Sequence, residues 1–148
     1  MCLVLLENKP KMAVKPILVY KVLEEIDAEK PLKTIKETPF RYMRVKFKHR
    51  KTTLESKICV YYGSDNYAVH ESIHAFRDIS FSESVVRELD SHRVWGMKTY
   101  YAVIPKGATY YIGNNFDVAT NKLIVFLTKE DFEESVYAKD YKTFELCV

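Results

Sequence analysis

Only one stretch of this chain carries a helical hydrophobic period. Phe81, Val85 and Leu89 recur every four residues, which places them on one face of a helix. Ser80 and Glu83 stand at capping-box spacing, where each side chain satisfies a backbone N–H of the first turn. Trp95-Gly96 follows, and glycine is a common helix stop. The pattern predicts one main helix over about 80–93, with Trp95 covering its end.

Most other patterned segments read as strand. Pro16–Ile26 is a nearly continuous apolar run (Ile17, Leu18, Val19, Tyr20, Val22, Leu23), as in a central strand buried on both faces. Phe40–Lys48 alternates between two sides, which is a half-exposed strand. Leu54–Tyr62 is a further strand, and Gly63-Ser64-Asp65-Asn66 is a turn by composition. Met97–Pro105 and Ala108–Ile112 are strands meeting around Pro105-Lys106-Gly107, where Pro fixes φ and Gly tolerates positive φ. Gly113-Asn114-Asn115 turns again before a strand at Lys122–Leu127. Thr128 and Asp131 predict a short capped helix to Phe132, and Tyr141–Val148 a last edge strand. The fold class is α+β: mostly antiparallel, strongly twisted sheet, with the main helix packed on one face. Residues 1–148 read as a single domain.

Composition excludes several classes. The apolar fraction of 47% and charged fraction of 29% are globular rather than disordered values. No apolar run approaches the ~20 residues of a membrane span, and Met1–Leu6 is too short for a signal-peptide core. Three cysteines (Cys2, Cys59, Cys147) without regular spacing argue for a reducing compartment. A soluble, cytoplasmic protein with no membrane partner is expected. The net charge of +3 is too small to imply nucleic acid by itself. Its basic residues cluster over 41–51 (Arg41, Arg44, Lys46, Lys48, His49, Arg50, Lys51), a solvated strand face or a contact for an acidic partner. Tyr61-Tyr62, Tyr100-Tyr101 and Tyr110-Tyr111 each pair one inward and one outward ring. Cys2 becomes an N-terminal nucleophile only if Met1 is removed.

The sharpest chemical motif is His70-Glu71-Ser72-Ile73-His74, an HEXXH. On a helix its two histidines bind one zinc, and the glutamate takes a proton from the metal-bound water. The third ligand would be His92, Glu83 or Glu88. Against this, the segment follows strands, and Asp78-Ile79-Ser80 opens a separate helix directly after it. Tyr67, Val69 and Ile73 also suit an extended chain, on which His70 and His74 would sit about 13 Å apart. Residues 67–76 must be helical for zinc and for a catalytic Glu71.

Several short segments in order resemble a family of small uncharacterised proteins of gut Bacteroidales bacteria and their phages. They are Met1-Cys2-Leu3, Lys9-Pro10, Val19-Tyr20-Lys21-Val22-Leu23, Thr38-Pro39-Phe40, Ile73-His74-Ala75-Phe76, Ile104–Gly113 and Ala119–Ile124. Members usually carry a glycine before the histidine, where this chain has Ser72-Ile73. The resemblance implies no activity. It implies that His74 enters a core strand ahead of the helix.

The chain also looks like ADP-ribosyltransferase-like domains. The likeness rests on Tyr20-Lys21 on an early strand, Ile73–Arg77 entering a helix, and Ile104-Pro105-Lys106-Gly107-Ala108 before an aromatic strand. It implies a degenerate NAD- or nucleotide-binding groove involving Tyr20, Lys21, His74, Phe76, Arg77 and Tyr110. Thr120-Asn121-Lys122 stands where the catalytic acids would be, so nothing stabilises the oxocarbenium-like charge of a transfer. The expected function is therefore a non-enzymatic binding or accessory protein of phage or mobile-element origin, with a protein or nucleotide ligand and no cofactor. A compact zinc metallopeptidase is the alternative and a degenerate transferase-like domain the third reading.

Overall fold

The computed structural model describes residues 3–6, 8–24, 50–63, 66–92 and 96–144. The alternating stretch 40–48, and the basic residues up to position 49, lie outside the described residues. The described chain runs β1 (Leu3–Val4), β2 (Lys11–Met12), β3 (Ile17–Glu24), β4 (Lys51–Glu55), β5 (Cys59–Gly63), β6 (Asn66–Glu71), β7 (Ile73–Phe76), α1 (Ile79–Ser91), β8 (Met97–Ile104), β9 (Thr109–Ile112), β10 (Asp117–Thr120), β11 (Lys122–Phe126), α2 (Lys129–Glu133) and β12 (Lys142–Thr143). A 3-10 turn, Val136–Lys139, lies between α2 and β12. The α+β architecture is the expected one: a mostly antiparallel, twisted sheet with one main helix and one short one.

The large sheet has the order β2-β9-β10-β7-β3-β8-β11-β4. Central β3 pairs with β8 along its whole length, from Ile17↔Ile104 to Glu24↔Met97. Its other edge is divided. Tyr20 pairs with Phe76 of β7, while Ile17 and Leu18 pair in parallel with Lys142 and Thr143 of β12. Lys142–Thr143 pairs with β3 alone among the described strands, so the expected last edge strand is present over these two residues, both exposed. Burial on both faces of β3 matches its continuous apolar run: Ile17, Leu18, Val19, Val22 and Leu23 are all buried.

Alternation sorts the side chains into two faces. The inner face gathers Ile17, Val19, Leu23, Ile73, Ala75, Ala102, Ile104, Val118, Leu123 and Val125 into one core. The outer face is covered in three patches. α1 covers Val22 and Phe76 through Val85 and Leu89. α2 and the 3-10 turn cover Leu18, Val103, Ile124 and Phe126. A small sheet, ordered β1-β6-β5, covers Ala119 and Tyr111 through Leu5, Val60 and Val69.

Several sequence expectations are corrected. The N-cap of α1 is Asp78, whose carboxylate accepts the Phe81 N–H at 3.1 Å. Ser80 lies inside the first turn, so the Ser80/Glu83 box does not form; the charged acceptor two residues earlier takes the orphan donor. Ser82, fully buried, reaches Thr99 Oγ1 at 3.2 Å and lets the helix approach β8 closely. Leu54–Tyr62 is two strands in different sheets, because the chain crosses from the large sheet to the small one over Ser56–Ile58. Asp117–Thr120 is a strand of its own that the alternation did not announce. The Gly113 turn is present as expected, though it leads into β10 and closes a β9–β10 hairpin that was not foreseen, and Thr128 with Asp131 forms a complete capping box.

The Pro105–Gly107 turn is present, with Gly107 at φ +89°. The strands that it joins do not pair. β8 sits at the centre and β9 beyond β10, with β10, β7 and β3 between them. The turn is instead pinned to the chain after β2: Gly107 N–H donates to Ala13 O at 2.8 Å, and Ala13 N–H to Ala108 O at 2.9 Å.

β10 and β11 are separated by Asn121 alone, where the chain passes from the β9–β7 part of the sheet to the β8–β4 part. Asn121 N–H donates to Thr109 O, and its side-chain Oδ1 accepts from Thr109 N–H at 2.9 Å. Its side chain thus stands in for a missing backbone carbonyl. Thr120, fully buried, sets its hydroxyl within reach of the Thr109 and Lys122 carbonyls at 2.9 and 3.1 Å.

Candidate functional site

Residues 66–76 are two strands, broken at Ser72, and not a helix. The condition for HEXXH zinc binding, two histidines one helical turn apart, is therefore not met. Glu71 sits opposite Cys59, whose thiol donates to its carboxylate at 3.6 Å. His92 is the C-cap of α1, where its N–H bonds Glu88 O and Leu89 O. There it joins Val85, Glu88 and Leu89 in lining a separate pocket of about 230 Å³. Among the described residues, no three His, Cys, Asp or Glu side chains gather as a metal site.

The six expected ligand contacts do not share one face. Lys21 points into the inner core with 4% of its surface exposed, while Tyr20 points outward. The Lys21 ammonium donates to the His74 carbonyl, a group left over where β3 and β7 part after their single pair. Burial lowers the Lys21 pKa to about 8. His74 lies on the outer face, its Nε2 3.5 Å from Asp117 Oδ2 and its ring 4.8 Å from Phe76 at 90°. Burial, ahead of the opposing effect of Asp117, holds its pKa below the usual 6.5. Phe76 is covered by α1, 5.4 Å from Phe81.

Arg77 is a strut. Its Nε and Nη2 donate to the carbonyls of Asp117 and Gly113 at 3.1 and 3.0 Å. Its guanidinium lies about 6 Å from the ring centroids of both Phe116 and Phe144. Tyr110 packs at the rim of the inner core, 5.9 Å from Phe144. Lys21 and Arg77 thus spend their polar groups on backbone carbonyls, and Thr120 and Asn121 do the same at the corner.

Tyr20 has a different setting. It lies between the patch covered by α1 and the patch covered by α2, beside Tyr101 of β8. The two rings meet edge to face, 5.3 Å apart at 84°. Tyr101 is 5.9 Å from Phe132, and Phe132 is 5.3 Å from Tyr141. The Lys129 ammonium stands over the Tyr101 ring at 5.8 Å. Asp78, at the start of α1, flanks the same gap. The Tyr20 phenol is pushed up to about 12, first by burial and then by Tyr101, Asp78 and Tyr141. It therefore remains neutral across the physiological range. The result is a half-buried tyrosine floor between two helices, with one carboxylate and one ammonium beside it.

Of these residues the sequence pointed to Tyr20 directly, and to Tyr101 only as one of a pair of which one ring faces outward. Asp78, Lys129 and Tyr141 carried no signal, since they come from a cap, a second helix and a terminal segment that only the fold assembles. A second aromatic surface lies on the β5–β6 hairpin, where Tyr62 and Tyr67 sit 4.9 Å apart and exposed.

No known protein family, curated protein or solved structure matches this chain. No helix among the described residues is long and apolar enough to cross a membrane.

Proposed function

We propose that this protein is a non-enzymatic binding module that engages a protein partner through the gap between α1 and α2. The observation that carries the reading is the contrast between Lys21 and Tyr20. The reactive-looking side chains near β3 are committed to the backbone, whereas the Tyr20–Tyr101 floor presents half-buried aromatic surface. Such surface contributes much contact area at small entropic cost, which is why tyrosine is enriched at interfaces. A groove lined jointly by Tyr20, Lys21 and His74, as a dinucleotide would need, is disfavoured because the first two point to opposite faces. The resemblance of several ordered segments to small proteins of gut Bacteroidales bacteria and their phages favours an accessory role in such a genome.

Fragment mapping by NMR on the whole chain tests this. Small aromatic and aliphatic fragments are expected to perturb Tyr20, Tyr101 and Tyr141 together. Clustering of hits at the Tyr62–Tyr67 hairpin, or in the pocket at Val85 and His92, would move the binding surface and overturn the assignment. Titration with NAD should release no heat; a saturable isotherm would restore the nucleotide reading.

A further inference from the structure

The gap already holds one cation of its own. Lys129 Nζ stands 5.8 Å from the centroid of Tyr101, within the distance at which an ammonium is attracted to an aromatic face. Lys129 is also 3.7 Å from Glu133 one turn further along α2, and its side chain is more than half exposed. It can therefore leave the ring without losing a carboxylate partner. The Tyr20 and Tyr101 rings are nearly perpendicular, so an ion placed beside them meets two differently oriented aromatic surfaces. Tyr141 meets Phe132 ring to edge at 79°.

We infer that this gap takes a cationic side chain of a protein partner, an ammonium or guanidinium, in the place Lys129 occupies in the unliganded chain. The inference rests on the gap being the binding surface proposed above and adds the chemistry of what enters it. Two features select a cation over an anion or a neutral group. The first is the electron-rich ring faces, which attract positive charge and repel negative charge. The second is Asp78, near enough to Tyr20 for its charge to act on the phenol. The phenol stays neutral, so attraction comes from the ring faces and Asp78 and not from a phenolate. Among the described residues, the charged groups at the gap are Asp78 from α1, and Lys129 with Glu133 from α2. The N-terminal end of α1 offsets part of the Asp78 charge, so a modest affinity is expected from a single cation.

The test uses choline and its uncharged carbon isostere, 3,3-dimethylbutan-1-ol, titrated into the full chain and followed by NMR. Choline is expected to shift Tyr20, Tyr101 and Tyr141 with a millimolar dissociation constant, and the alcohol to bind at least about fivefold more weakly. Asp78→Asn keeps a competent N-cap while removing the charge, and should weaken choline about fivefold. Lys129→Met removes the resident competitor and should strengthen it. Tyr101→Phe should retain binding and Tyr101→Leu lose it. If the alcohol binds as well as choline at these residues, the binding surface stands and its cationic preference is wrong. If neither ligand perturbs the gap, both readings fail. If choline instead binds more tightly to Asp78→Asn and more weakly to Lys129→Met, the inference is overturned.

Discussion

Tyr20 and Lys21 are neighbours on one strand and have opposite fates. Lys21 turns inward, loses its water and spends its charge on one carbonyl. Tyr20 turns outward and keeps its ring beside a gap between helices. The inner position shows how this sheet tolerates a divided strand: a long cationic side chain reaches the acceptor that the missing ladder bond leaves unsatisfied. The outer position shows where the described elements leave a tyrosine half-buried rather than fully covered. A residue type that suggests chemistry, a buried lysine, belongs to the scaffold here, and the plainer tyrosine is the candidate for recognition.

The largest expected effect comes from breaking the inner side. Lys21→Ala removes the buried stem and orphans the His74 carbonyl, and should cost about 4 kcal/mol of stability in urea unfolding. Lys21→Met keeps the volume and removes a buried charge, and should lie within about 1 kcal/mol of the wild type near neutral pH. The same pair gives a pH test. The folded pKa of Lys21, about 8, lies below its ordinary 10.5, so the unfolded chain holds the proton more tightly. The cost of burying the charge is fully present below pH 8 and disappears as pH rises to 10.5. Wild type should therefore gain about 3 kcal/mol on Lys21→Met across that window. A difference that stays flat would mean that the ammonium is not buried in solution.

A smaller effect is expected at His74. Its folded pKa is depressed, so the unfolded state takes up a proton first as the pH falls below 6.5. Stability should decline with acid in the wild type, and His74→Gln should remove that part of the slope. The smallest effect should come from the outer side. Tyr20→Phe and Tyr101→Phe keep the rings and lose only hydroxyls at a half-exposed position. Each should change the melting temperature little, by less than about 0.5 kcal/mol in stability. A loss as large as that of Lys21→Ala would make these tyrosines part of the scaffold and erase the contrast.

Much of the architecture was legible in local pattern. The continuous run at 17–23 marked a strand buried on both faces, Phe81, Val85 and Leu89 marked the helix, and Thr128 with Asp131 marked its short companion. The partnering was not legible. Ile104–Ala108 reads as a hairpin turn because the residues fit one, yet its strands find other neighbours, since only long-range packing decides which strands meet. Asp117–Thr120 was hidden because it is fully buried and too short to show a period. HEXXH stayed an alternative because its spacing carries meaning only on a helix, and the flanking Val69, Ile73 and Phe76 bury equally well on the strands that form. The candidate gap was half visible, in Tyr20 and Tyr101. Its charged members sit on elements that converge only in three dimensions.

Asn121 has a consequence for how such a chain tolerates change in length. Val118 faces the inner core before it, and Leu123 and Val125 face the same core after it. The parity of inward positions therefore switches from even to odd across one residue. Deleting that residue would leave Leu123 and Val125 on the inward side of an unbroken alternation, but would remove the corner and both of its hydrogen bonds to Thr109. The Asn114–Asn115 loop, exposed between paired strands, has no such corner to preserve. Insertions should accumulate at that loop, whereas the junction between β10 and β11 should keep a fixed length wherever this fold recurs.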